Sequence, residues 1–107
     1  MAPLPVFLLI FAPEVVYHLR YIERKFHKII RETIHEQLRY TPALATRNRK
    51  LLSQPAPFGA TWELRFGPNN RFRVFYDVDE NKKLISILAI GIKDGNRLLI
   101  SGEEYKP

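Results

Sequence analysis

Two alternating runs, Trp62-Glu-Leu-Arg-Phe66 and Arg71-Phe-Arg-Val-Phe-Tyr-Asp-Val-Asp79, flank a turn built from Gly67, Pro68, Asn69 and Asn70. A Gly/Pro/Asn turn between period-two segments reads as a β-hairpin. Side chains alternate across a strand, so Trp62, Leu64 and Phe66 share one face with Phe72, Val74, Tyr76 and Val78 of the partner. The opposite face carries Glu63 and Arg65 from the first strand and Arg71, Arg73, Phe75, Asp77 and Asp79 from the second. One side must therefore be buried, and the other must be solvated or used.

What covers the aromatic side lies earlier in the chain. Val15, Leu19, Ile22, Phe26 and Ile29 recur at spacings of four and three, and Ile30, Ile34 and Leu38 extend the stripe. This periodicity predicts an amphipathic helical hairpin from Pro13-Glu14 to about Arg39, broken near Glu23 to Phe26 and ended by Thr41-Pro42. Val6–Phe11 is too short to span a bilayer and has no basic segment before it, so a buried strand is expected there. Residues 43–57 read as a connector with room for a short helical turn. Glu80–Lys83 reads as a second turn, and Leu84–Ile92, apolar on both parities, as a central strand covered on both sides or nearly so. Leu98–Ile100 reads as a short edge strand before an acidic tail. Helices gathered early and strands late predict one α+β domain over residues 1–107: a small antiparallel-rich β-sheet with two N-terminal helices packed on one face. The arginine-bearing face is then left available.

The charge distribution points to that same face. The 107 residues carry a net charge of +6. Between Arg39 and Arg73 stand seven basic residues, Arg39, Arg47, Arg49, Lys50, Arg65, Arg71 and Arg73, against the single acid Glu63. Such a concentration favours an anionic partner. The chain has no cysteine, which excludes a disulfide framework or a thiolate zinc site and suits a reducing cytoplasm. His18, His27 and His35 are nine and eight residues apart, share no helix face at ligand spacing, and are expected at the surface. No metal site is expected, and no phosphate-binding loop or nucleophile elbow is present.

Glu63, Arg65, Arg73 and Lys93 remain as candidates for chemistry, with Gly91 and Ala89 as a shallow floor beside Lys93. Arg offers a planar fork to the non-bridging oxygens of a phosphodiester. Pre-set cations stabilise the extra charge of its transition state. RNA needs no metal if its own 2′-OH attacks. On physical grounds alone the set reads as an anion-binding sheet face before it reads as an active site. Arg47, Arg49, Lys50 and Arg71 are suited to tracking a nucleic-acid backbone.

Trp62-Glu-Leu-Arg-Phe-Gly67, Arg71-Phe-Arg-Val-Phe-Tyr-Asp-Val78 and Ile87-Leu-Ala-Ile-Gly-Ile-Lys93, with the helical hairpin before them, resemble the RelE/ParE superfamily of toxins from toxin–antitoxin pairs. The resemblance implies a RelE-like sheet with two helices on one side, a cognate antitoxin that wraps the toxin, and no cofactor. RelE-like members cleave mRNA in the ribosomal A site, whereas ParE-like members inhibit DNA gyrase. By this resemblance Arg73 matches the arginine at the scissile phosphate, Arg65 stands where RelE has a lysine, and Lys93 matches a basic position ending the central strand. Glu63 reverses the charge of its counterpart and is the candidate proton acceptor. The C-terminal aromatic or histidine of the nucleases has no counterpart at Leu98–Ile100, and Tyr105 could replace it only if the tail folds back. The expected activity is a ribosome-dependent, metal-independent mRNA endoribonuclease in the cytoplasm. The alternatives are a gyrase inhibitor without chemistry and an inactive RNA-binding member.

Overall fold

The computed structural model describes residues 5–53 and 56–106. In chain order the elements are β1 (Leu8–Phe11), α1 (Glu14–Arg20), α2 (His27–Leu38), β2 (Arg49–Leu51), β3 (Trp62–Phe66), β4 (Phe72–Asp79), β5 (Leu84–Asp94), β6 (Arg97–Ile100) and β7 (Glu103–Glu104). Short 3-10 turns occupy Arg24–Phe26, Pro57–Gly59 and Pro68–Asn70. The strands lie in the order β2-β3-β4-β5-β6-β7, all antiparallel neighbours, and β1 adds a parallel pairing to β5. Among the described residues no helix is long and apolar enough to cross a membrane.

The β3–β4 hairpin forms as the alternation requires, with Trp62 opposite Tyr76 and Phe66 opposite Phe72. Gly67 opens its turn at φ 83°, and a Cβ there would lie 2.5 Å from the Phe72 ring, so both conformation and space demand glycine. Helix α1 ends at Arg20, the 3-10 turn Arg24–Phe26 makes the corner, and α2 begins at His27. His27 Nε2 sits 2.8 Å from the Ile22 carbonyl oxygen and ties that corner together. Ile30, Ile34 and Leu38 of α2 are fully buried against Trp62, Leu64, Phe72, Val74 and Tyr76. Each such side chain contributes about 1.5–3 kcal/mol of burial. Ile29, at the margin of the stripe, is exposed.

Four local expectations change. Val6–Phe11 does contain a strand, but β1 is not buried: Leu8 is 66% and Ile10 50% exposed, while Phe7 and Leu9 face the core. Among the described residues it pairs only with Leu84–Ile87, on the edge of β5 that β6 takes over at Ile92, and its outer edge has no strand neighbour. The connector contains β2, whose Arg49, Lys50 and Leu51 pair with Leu64, Glu63 and Trp62. Three residues without alternation carry no local strand signal. The tail is also a strand: β7 pairs with Leu99 and Ile100, so β6 is not the edge.

His18, expected at the surface, is buried, because α1 lies against the middle of β5 between the stretches claimed by β1 and β6. There the Ile90 N–H donates to His18 Nδ1 at 3.2 Å, which satisfies a donor that no strand reaches.

Strand β5 owes its double-parity apolar pattern to two causes. A bulge between Phe75 and Tyr76 pairings, at Leu88, moves the core-facing set from Ile85 and Ile87 to Ile90 and Ile92. On the far face a smaller cluster of Ala60, Phe75, Ala89 and Ile100 packs with Leu52, Ala56, Leu98 and Tyr105. The face opposite the helices is therefore open only in part.

Candidate anion-binding face

Arg65 on β3 stands directly opposite Arg73 on β4, and Arg73 opposite Gly91 on β5. Like charges in that position repel. Glu63, two residues before Arg65 and on the same face, bridges them: Arg65 Nε donates to Oε1 at 2.6 Å and Arg73 Nη1 to Oε2 at 3.4 Å. Arg73 Nε also donates to the Asn70 carbonyl at 2.8 Å, which anchors the guanidinium to the hairpin turn. Glu63 is buried, its side chain 8% exposed, and the side chains of Arg73 and Arg65 are 12% and 34% exposed. Among the described residues, both Nη groups of Arg65 and Nη2 of Arg73 have no protein acceptor.

The basic connector, distant in sequence, is brought to this group. Lys50 pairs with Glu63 in the β2–β3 register and so projects on the same face. Asn48 clasps the backbone of Arg65 from both sides: its carbonyl accepts from the Arg65 N–H at 2.8 Å, and its side-chain amide donates to the Arg65 carbonyl at 2.9 Å. Residues 45–51 and Arg65 line a shared depression of about 450 Å³. Arg47 and Lys50 are exposed around it.

Arg49 has another part. It is 7% exposed, and its guanidinium donates to the Thr41 carbonyl and to the Thr46 hydroxyl. Tyr76 donates its hydroxyl to the neighbouring Pro42 carbonyl at 2.9 Å, and burial raises its pKa well above the usual range, with Arg49 opposing the shift. Together they fasten the chain where it leaves α2. Arg49 is thus directed into the protein rather than toward a nucleic-acid backbone.

Lys93 lies at the end of β5, half-buried, its N–H donating to the Arg71 carbonyl at 2.8 Å. The two are joined there, but on the margin of the Glu63–Arg65–Arg73 group. The expected shallow floor is absent: Gly91 is covered, since a Cβ on it would lie 2.7 Å from the Leu99 carbonyl oxygen and 3.1 Å from Leu98. The tail does fold back. Tyr105 donates its N–H to the Leu98 carbonyl at 2.8 Å and packs, half-buried, in the cluster around Phe75 and Ala89. Asn48 was not legible as a site residue; its only signal is a short polar side chain set within the Arg47-Asn-Arg49-Lys50 run. Among the described residues no cluster of three or more His, Cys, Asp or Glu could hold a metal ion.

The fold and this face together define an α+β protein with two helices on one side of a mainly antiparallel sheet and a basic patch on the other. No family model matches the sequence, and no curated protein matches it. Among solved structures, a chain of the toxin–antitoxin complex RelBE2 from Mycobacterium tuberculosis is similar, with a TM-score of 0.66 at 18% identity, covering 82% of this chain and 99% of its own. At that identity the likeness shows the fold.

Proposed function

We propose that this chain is the toxin of a toxin–antitoxin pair and that it binds and cleaves the phosphodiester backbone of mRNA on the ribosome. The observation that carries this reading is the opposed pair Arg65 and Arg73, held side by side by one carboxylate with N–H groups to spare. A phosphate between them would accept from two pre-set forks, with Lys50 and Arg47 extending the positive surface along the strand. In the reaction the 2′-oxygen bonds to phosphorus and the P–O5′ bond breaks, leaving a cyclic phosphate and a 5′-hydroxyl. Charge builds on the non-bridging oxygens, and the guanidiniums stabilise it. Glu63 acts by holding the two arginines in place. Proton transfer falls to water or to groups on the ribosome, and the cognate antitoxin neutralises the protein in the cytoplasm.

One observation favours a second reading. The Glu63 carboxylate is occupied by two guanidiniums, so among the described residues no free carboxylate base lies beside the arginines. That arrangement suits a toxin that only binds, such as a gyrase inhibitor. Mapping of transcript ends after induction separates the two. New ends within translated messages support cleavage, and gyrase-linked DNA breaks with intact messages overturn it.

A further inference from the structure

A cleft larger than the depression beside Arg65 lies at the end of the sheet, beyond the β3–β4 turn. It has a volume of about 750 Å³ and is lined in part by Tyr21, Asn69, Arg71, Ile92, Lys93 and Leu99. Ile92 packs toward the helix-side core with Leu99 paired to it, whereas Lys93, paired with Leu98, belongs by register to the arginine-bearing face, so the cleft spans the end of the sheet just beyond α1. Tyr21, which caps α1, is 61% exposed and packs against Gly102: a Cβ on that glycine would meet its ring at 2.8 Å. A large aromatic thus rests against backbone on one side and is open to solvent on the other. Arg71 and Lys93 line the same cleft, their backbones joined by the Lys93 N–H to Arg71 carbonyl bond. Among the described residues neither cation has a carboxylate partner, and the one acid lining the cleft, Asp94, is paired with Arg97 at 3.3 Å.

We propose that this cleft is a nucleotide subsite, in which a base stacks on Tyr21 and its phosphate is held by Arg71 and Lys93. An exposed aromatic sharing one cleft with two cations that have no carboxylate partner among the described residues matches the two chemical halves of a single-stranded nucleotide. Arg71 is two residues from Arg73 at the hairpin turn, so a strand gripped at Arg65 and Arg73 reaches the cleft by passing round that turn. The inference rests on the nucleic-acid reading above, extending it to a neighbouring nucleotide at the end of the sheet.

The test uses the full chain and a fluorescently labelled single-stranded oligoribonucleotide, intact or with abasic positions. Tyr21→Ala should weaken binding of the intact strand on the order of tenfold, Tyr21→Phe should restore it, and neither change should affect the abasic strand. Arg71→Ala should lower the salt dependence by about one phosphate contact. Unchanged melting temperatures establish that the variants are folded, as the exposure of both residues leads one to expect. Titration of adenosine 5′-monophosphate into isotopically labelled protein should shift the amides of Tyr21, Asn69 and Gly95. If Tyr21→Ala binds both strands like the unaltered chain, or the nucleotide shifts only residues around Arg65, the subsite is overturned while RNA binding stands. If the unaltered chain binds no single-stranded RNA, the broader reading fails; shifts from the mononucleotide would then preserve the subsite, and their absence would remove it too.

Discussion

Arg65 and Arg73 face each other across neighbouring strands, and the carboxylate of Glu63 is what makes that juxtaposition tolerable. The residue a sequence reading assigns to proton transfer is ion-paired to both cations. A buried carboxylate with two charged donors is costly to disrupt, because removal of one partner strands the others.

Glu63→Gln should therefore destabilise the fold by about 1–3 kcal/mol, the scale for losing a charged acceptor. It should also tighten binding to single-stranded RNA and steepen its salt dependence, since one negative charge leaves the face. Urea denaturation and salt-dependent binding check the two effects. A drop in cleavage with unchanged stability would return Glu63 to the role of base.

Arg65→Ala and Arg73→Ala should differ in stability while agreeing in function. Each should cost cleavage on the order of a hundredfold, the usual scale for one pre-organised charge-stabilising donor. Arg73 also anchors the Asn70 carbonyl and is largely covered, so its loss should lower stability by about 1–3 kcal/mol, whereas Arg65→Ala should cost less. Arg73→Lys should recover only part, because an ammonium loses the two-pronged geometry. Thermal melting beside a transcript-end assay separates fold from function.

The basic connector should split under mutation. Replacing Arg47 and Lys50 together by Ala should reduce the slope of log affinity against log salt by about two contacts, with melting unchanged. Arg49→Ala should do the reverse, lowering stability by about 1–3 kcal/mol through the lost bonds to Thr41 and Thr46 with little change in salt slope. Equal behaviour of all three would show that the inward setting of Arg49 does not matter in solution.

Stability should fall on mild acidification through His18. Burial lowers its pKa from the ordinary 6.5, with Glu14 partly opposing the shift. The unfolded chain then binds the proton more tightly than the folded one, so stability is full above about pH 6.5 and drops as pH falls through that value toward the lowered folded one. Protonation also removes the Nδ1 lone pair that accepts from Ile90. His18→Asn, which cannot titrate, should show a flatter pH dependence in chemical denaturation than the unaltered chain. An identical slope would place the acid sensitivity elsewhere.

Periodicity by itself determined a good deal: the β3–β4 hairpin with its aromatic face, the helical stripe of Ile30, Ile34 and Leu38 that covers it, the corner before Phe26, and the α+β class. Those features follow from side-chain direction repeated every two or 3.6 residues, which needs no distant partner to be read. Only the tertiary structure decided the rest. Arg47, Arg49 and Lys50 look alike in a loop, and pairing of β2 onto β3 turned Lys50 toward Arg65 and Arg49 toward Thr41. His18 became a buried acceptor because β1 and β6 leave a gap on β5, and the double-parity run hid a bulge at Leu88. The Glu63 carboxylate acquired its two guanidiniums only when β4 was laid beside β3 in register. A hydrogen-bond partner or a counterion across a sheet depends on strand order and register, and these are set by how all the faces pack at once, not by the pattern along any one segment.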